Sequence, residues 1–242
     1  HFTNTKFIQT VGVLQAFRRS KEEEEVRLLK RANRITHELL RRVPTALRSQ
    51  ITEEKLARQL QIWALELGAD GMAFDPIVAF GTNTSSPHHH PTNRSLKKGH
   101  IVQVDVGAKY RGYCADASEV FFTATPTPLQ QKMYRVICEA KKKAMEAAKA
   151  GTSTHALDRI ARDVLRREGV EQAFTHSLGH GVGLEIHEGV SISSKGKDEQ
   201  LLTHEVITIE PGVYFDGKFG MRVEEMVFID DSTYDGQPNL QL

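Results

Sequence analysis

Five residues whose side chains end in a carboxylate or an imidazole, Asp105, Asp116, His180, Glu210 and Glu224, stand in an order and in local contexts that suggest a two-metal hydrolytic site. Four of them lie in two similar stretches, IVQVDVGAKYRGYCADASEVFF and VITIEPGVYFDGKFGMRVEEMVFI. Each reads as an alternating strand, an acid, a glycine, a turn, a second strand and a second acid, so each is expected to be a β-hairpin carrying two carboxylates. The midpoint between Asp105 and Asp116 falls at Tyr110 and Arg111, and that between Glu210 and Glu224 at Gly217, within an Asp-Gly turn signal. Directly paired Cβ atoms lie about 4.5–5.5 Å apart, so two such hairpins bring four carboxylates into one small volume. Left alone, those acids raise one another's pKa; two divalent cations offset the charge and keep the ligands ionised. An oxygen-rich set with one imidazole favours Mn²⁺, with Co²⁺, Zn²⁺ or Fe²⁺ as alternatives and Ca²⁺ or Mg²⁺ less suited. Water bridging two such ions becomes a hydroxide-like nucleophile near neutral pH, and the implied chemistry is hydrolysis.

Histidines are the next signal. His88, His89 and His90 stand together in a loop between prolines, SSPHHHPT, and His176, His180 and His187 lie within THSLGHGVGLEIHE. A lone loop histidine is more often a surface residue, so at most one of His88, His89 and His90 need be functional. Gly179, Gly181 and Gly183 do not make a dinucleotide fingerprint, and a tight turn that lets backbone approach metal or substrate explains them better. Neither His-Glu-x-x-His nor Gly-x-Ser-x-Gly occurs, which removes the zincin and nucleophile-elbow readings.

Helices and strands alternate around these residues. Val26, Leu29, Ala32, Ile35, Leu39 and Leu40 recur at helical spacing between Ser20 and about Val43, behind an acidic run Glu22 to Glu25 that complements a helix dipole. A second helix is expected from Thr52 to Gly68, a third from Pro128 to Gly151 and a fourth from Thr154 to Glu168. The clearest strands are Pro76 to Phe80, Ile101 to Val106, Ser118 to Thr123, Val206 to Ile209 and Met221 to Ile229. Two helices, a carboxylate hairpin, two helices and a second carboxylate hairpin amount to a long-period duplication. The expectation is an α+β fold in which helices cover one face of a mainly antiparallel sheet and the acids line the other. Residues 1–18 show no helical pattern and read as a linker or the remnant of an upstream domain, with the catalytic domain spanning 19–242.

Bulk composition narrows the partners. At 242 residues with 32 basic and 31 acidic side chains, the formal net charge is +1, which gives no whole-chain attraction for nucleic acid or an anionic membrane. No apolar run approaches the roughly 20 residues of a membrane span. Cys114 and Cys138 have no metal-binding spacing and read as packing residues, so a cytoplasmic location is expected.

The motifs VDVGAKYRGYCADAS, LGHGVGLEIHE, TIEPGVY and GMRVEE closely resemble those of the pita-bread metallopeptidases: methionine aminopeptidase, aminopeptidase P and prolidase. The resemblance covers roughly Ser20 to Ile229 and implies the pita-bread fold, a pseudo-twofold antiparallel sheet with helices on one face. It implies that Asp105, Asp116, His180, Glu210 and Glu224 hold two metal ions, with Asp105 chelating one, Asp116 and Glu224 bridging, and His180 and Glu210 on the other. It further implies that His88 and His187 stabilise the tetrahedral intermediate, that Glu210 shuttles the proton, and that His176 and Arg222 line the substrate pocket.

FDPIVAFGTNTSSP, the interval from His88 to Asp105 and the short hairpin from Glu210 to Glu224 are more similar to aminopeptidase P and prolidase than to methionine aminopeptidase. The expected substrate is therefore a small peptide with proline at its second position, and the resemblance leaves room for a homodimer. Two departures stand out. Where the family carries Thr-Arg-Thr after the second aspartate, this chain reads Ala117-Ser118-Glu119-Val120; after His187 the prolidase-like Pro-Arg is replaced by GVSISS. A basic residue in the latter region would bind a dipeptide's terminal carboxylate, and its loss leaves room for longer Xaa-Pro peptides. The alternatives are a methionine aminopeptidase-type exopeptidase and, in another class, a non-catalytic pita-bread module that binds peptides.

Overall fold

A computed structural model describes residues 12–48 and 50–230. The chain runs α1 (Val13–Arg19), α2 (Glu23–Ala46), α3 (Glu53–Glu66), β1 (Gly71–Met72), β2 (Ile77–Phe80), β3 (Ile101–Val106), β4 (Ala108–Tyr110), β5 (Tyr113–Cys114) and β6 (Ala117–Phe122). It continues through α4 (Pro128–Ala147), α5 (Thr154–Arg167), β7 (Gly179–Gly181), β8 (Glu188–Ile192), β9 (Val206–Ile209), β10 (Gly212–Phe215), β11 (Phe219–Arg222) and β12 (Glu225–Phe228). Local chemistry sets the helix starts. Glu22 and Glu25 form a reciprocal capping box on α2, Thr127 and Gln130 do the same on α4 with Pro128 in the first turn, and Thr52 and Ser153 cap α3 and α5. Helix α2 runs on past Val43 to Ala46 with Pro44 inside it. A proline this close to the C-terminal end removes one ladder bond in a turn that is ending anyway.

Two similar halves follow from this order. Helices α2 and α3 pack Leu39, Leu56 and Leu60 against Val78 and Phe80 of β2 and Val102 and Val104 of β3, in the sheet ordered β2-β3-β6. Helices α4 and α5 pack Ile137, Leu157 and Leu165 against Ile192, Ile207 and Ile209, in the sheet ordered β12-β9-β7-β8. All the strand pairings are antiparallel. Leu29 and Ala32 of α2 join the halves by meeting Cys114, Val182, Val206 and Met226. Each large apolar side chain fully buried this way contributes about 1.5–3 kcal/mol. In β3 the alternation is visible: Val102, Val104 and Val106 join the α2–α3 core, so Asp105 projects from the opposite face. The expected α+β arrangement, with acids on the face the helices do not cover, is what forms.

Three expectations change. The first hairpin is centred one residue later than its acids suggest: Tyr110 pairs Tyr113, the turn is Arg111-Gly112 with both φ values positive, and Asp105 lies opposite Ser118. That is the backbone of a two-residue primed turn, which the twist of the flanking strands favours. Asp116 is consequently the diagonal neighbour of Asp105 rather than its direct partner, on the same face of the ladder. The last strand is two, β11 and β12, interrupted at Val223-Glu224. Lastly, residues 13–19 are helical. The seven-residue α1 buries no side chain, which is why no apolar period announces it, and is tied down through Arg18 and Arg19 instead. The rest of the expected linker, residues 1–11, lies outside the described residues. Among the described residues no helix is long and apolar enough to cross a membrane.

Candidate active site

The second hairpin carries its two acids as its turn predicts. Gly212 pairs Arg222 in β10–β11 and Ile209 pairs Glu225 in β9–β12, so Glu210 and Glu224 fall opposite each other between the two ladders. The first hairpin meets it through Ser118, whose hydroxyl donates to Glu224 Oε2 at 2.9 Å while its backbone oxygen accepts from Glu224 N at 3.0 Å. His180 comes in on β7, where a bulge between His180 and Gly181 re-aims the side chain. Its Nδ1 lies 3.1 Å from Gly181 O, a pure acceptor, so Nδ1 carries the hydrogen and Nε2 is left with a free lone pair. That Nε2 stands 3.5 Å from Asp116 Oδ2 and 3.6 Å from Glu210 Oε1. Asp116, His180 and Glu224 each offer a ligand atom within 4.8 Å of the others.

The electrostatics of this cluster suit cations. Asp116 is pushed well above the ordinary carboxylate range by burial, then by Asp105 and Glu210; burial and Glu224 do the same to Glu210, and burial and Asp116 to Glu224. Burial, with His187 beside it, pulls His180 down to about 4, so it is neutral and able to ligate at pH 7. Asp105 Oδ1 and Asp116 Oδ1 are buried without a hydrogen-bond partner. Buried carboxylate oxygens rarely go unsatisfied, and two in one cluster of repelling acids are what divalent cations would satisfy.

Beside the acids runs a hydrogen-bonded chain. Arg222 pairs with Asp105, donates from Nε to Ser118 Oγ at 3.0 Å, and donates from Nη1 to Tyr214 Oη at 2.7 Å. Tyr214 Oη is 2.9 Å from His176 Nε2, and His176 Nδ1 is 2.8 Å from Ser177 O. Because the Ser177 carbonyl only accepts and Arg222 only donates, one proton arrangement satisfies all three groups: Nδ1–H to Ser177, and Tyr214 O–H to Nε2. Burial, then Arg222, pulls His176 down to about 3, in keeping with that neutral ring, and burial pushes Tyr214 up to about 12.

A cavity of about 690 Å³ is lined by all nine residues singled out from the sequence: Asp105, Asp116, His180, Glu210, Glu224, His88, His187, His176 and Arg222. The rings of His180 and His187 are 4.1 Å apart, edge to face. Of the three consecutive histidines only His88 lines the cavity; His89 bonds to Glu53 and His90 is exposed on the surface. The glycines of the His180 motif serve strand packing. A Cβ at Gly179 would lie 1.9 Å from Thr208 O, and one at Gly181 2.1 Å from Glu188 O.

Sequence reasoning missed Tyr214, Ser118 as the bond between hairpins, and Gln15 and Arg18 of α1, which also line the cavity. One signal for Tyr214 was present: it pairs with Gly220, where a Cβ would come within 2.5 Å of its ring. Glu119, the charge that departs from the family pattern, stays out of the cavity and accepts from Tyr134 Oη at 3.2 Å.

Residues 27–231 match the model of metallopeptidase family M24. The chain is 35% identical over 228 residues to the Xaa-Pro dipeptidase of Pyrococcus furiosus, covering 94% of this chain and 65% of that protein. The solved prolidase from Pyrococcus furiosus superposes with a TM-score of 0.89 at 34% identity, over 91% of this chain and 65% of that one. The X-Pro aminopeptidase from Thermotoga maritima gives a TM-score of 0.91 at 36% identity, over 96% and 66%. The chain thus spans about two thirds of the length of these relatives, and its fold is the pita-bread α+β fold of those structures.

Proposed function

This chain belongs to metallopeptidase family M24, which implies divalent metal ions, and on that premise we propose that it hydrolyses the bond between the first residue and proline in dipeptides or at the N-terminus of longer peptides. The observation that carries the reading is the convergence of four acids, three of them buried and Glu210 half-buried, and one neutral imidazole on a cavity that also holds three further histidines. Asp105, Asp116, His180, Glu210 and Glu224 would hold two ions, Mn²⁺ first and Co²⁺, Zn²⁺ or Fe²⁺ as substitutes, because the donors are mostly hard oxygens with one nitrogen. When bound, the ions supply Lewis acidity and a water acidic enough to attack a peptide carbonyl near neutral pH.

The chain's own residues supply the rest. Glu210, on the cavity wall, takes a proton from the attacking water and delivers it to the departing nitrogen. His187 and His88, both on the cavity wall, donate to the oxygen on which charge develops. His176 and Arg222, joined to each other through Tyr214 Oη, form one fixed wall of the proline pocket. The bond before proline is a tertiary amide without N–H, and a site that works on the carbonyl oxygen and the leaving nitrogen does not depend on that missing donor. The relatives' names, Xaa-Pro dipeptidase and X-Pro aminopeptidase, support this choice over methionine aminopeptidase. Assays of Xaa-Pro and Met-Ala-type peptides with added Mn²⁺ or Co²⁺ test it. Turnover of the proline peptides supports the reading, preference for Met-Ala replaces it with the methionine branch, and metal binding without turnover of either leaves a peptide-binding module.

A further inference from the structure

His88 is exposed on the cavity wall, and among the described residues its ring has no hydrogen-bond or ion-pair partner. An exposed imidazole on a loop is free to sample several rotamers, yet stabilising a transition state needs a donor held in place. Whatever fixes His88 must therefore act through its chain neighbours. On one side Pro87 O accepts from Arg222 Nη1 at 3.2 Å. On the other side stands Glu53, whose side chain is completely buried at the start of α3.

Glu53 gathers the whole loop. Oε1 accepts from Phe80 N at 2.7 Å and Asn83 Nδ2 at 2.9 Å; Oε2 accepts from His89 Nε2 at 2.9 Å, Thr92 N at 2.9 Å and Thr92 Oγ1 at 2.6 Å. Five donors share the roughly four lone-pair sites of one carboxylate, three of them converging on Oε2, so no acceptor capacity is left over. Burial opposes its ionisation, but the bonds from Thr92, His89, Phe80 and Asn83 outweigh that and hold it below the ordinary range. Strand end, turn and return segment, residues 80 to 92, are pinned to one buried anion at points on both sides of His88.

We propose that Glu53 and His89 are positioning residues for His88: the His89–Glu53 bond orients the adjoining imidazole toward the cavity without touching substrate. This rests on the role given to His88 above. The run of three histidines then divides its labour, with His88 facing the cavity and His89 facing the anchor.

The experiment is a double-mutant cycle in the Mn²⁺-loaded protein, turning over an Xaa-Pro dipeptide. His89→Ala is expected to lower kcat and kcat/KM together by roughly 10–100-fold with KM unchanged, the signature of a misplaced transition-state contact. His89→Gln, which keeps a donor for Glu53, recovers most of it. In a His88→Ala background the added His89→Ala changes kcat by less than about twofold. Calorimetric Mn²⁺ affinity stays the same in all four variants. Additive losses, or a loss of metal affinity in His89→Ala, overturn the inference in favour of a purely structural role, and so does a fully active His88→Ala. NMR of the histidine rings provides an arm independent of turnover: one ordered His88 signal set in the parent, rotamer-averaged in His89→Ala. Identical His88 signals in both overturn the proposal even if the parent is inactive on the dipeptide, whereas that inactivity alone contradicts the peptidase reading.

Discussion

Arg222 and Asp105 form a buried ion pair across the two carboxylate hairpins, between residues 117 apart in sequence. One strand end from each half of the molecule is thereby fixed to the other, and Arg222 reaches Ser118, Tyr214 and Pro87 from the same guanidinium. The surrounding acids and Tyr214 raise its pKa, although burial alone would lower it, so it is a permanent cation inside a cluster of repelling acids.

Arg222→Ala should therefore cost stability as well as function. Removing one partner of a buried pair strands the other and typically costs about 3–5 kcal/mol. Arg222→Lys should recover less than half of that loss, because an ammonium cannot reach Asp105, Ser118, Tyr214 and Pro87 from one planar fork. Denaturant unfolding of the metal-free variants measures it; a lysine variant as stable as the parent would contradict the account.

Metal stabilisation should grow with pH. Asp116, Glu210 and Glu224 have folded-state pKa values raised above their unfolded ones, so the stability they lend the metal-free fold is fully present below about pH 4 and is lost as pH rises through the raised values. Bound cations reverse that penalty. His180, held at about 4 against an ordinary value near 6.5, has the opposite slope: between those values the unfolded ring binds a proton that the folded ring does not, a cost to the fold that fades as pH rises past 6.5, while the folded ring stays neutral and free to ligate at both test pH values. The rise in Tm on adding Mn²⁺ should be larger at pH 8 than at pH 5.5, with protons released on binding; an equal rise at both would count against convergence of the acids.

Tyr214→Phe should leave Arg222 Nη1 without its 2.7 Å acceptor and His176 Nε2 without its donor. A buried polar group left unpaired costs about 1–3 kcal/mol. If the wall formed by these residues holds the proline, the loss should fall on KM. Steady-state kinetics with proline and non-proline peptides decides this: loss on proline peptides alone is expected, and equal loss on both would contradict a proline-pocket role for the wall that Tyr214 holds together.

Glu210→Gln should lower kcat by roughly 10²–10⁴-fold, the range for a removed general acid–base. The amide keeps the size of the carboxyl, and its Oε1 can still accept the weak 3.5 Å bond from Thr208 Oγ1. Stability should thus change little while turnover collapses. Unchanged turnover would remove Glu210 from the proton path.

How much of this was readable in the chain depends on range. The four acids were legible because residue type, strand alternation and the Asp216-Gly217 turn are all local, and the second hairpin closes about Gly217 as that signal requires. The first hairpin turns one residue beyond the midpoint of its acids because Arg111-Gly112, with positive φ at both positions, sets its centre. Helix α1 was invisible: it is short, buries nothing, and depends on Glu188 and Glu205, about 170 and 186 residues away. Glu53 is set apart from its neighbour Glu54 in the first turn of α3 by nothing local. Its five donors lie 27 to 39 residues further on, and only the folded loop brings them to it.

The central claim is that the two hairpins and His180 together grip a pair of divalent ions. Anomalous diffraction from crystals grown with Mn²⁺ tests it directly. Two peaks about 3.5–4 Å apart, in contact with Asp105, Asp116, His180, Glu210 and Glu224, are the predicted result. No ordered metal among these side chains, or a single ion that leaves Asp105 or His180 unliganded, would contradict it.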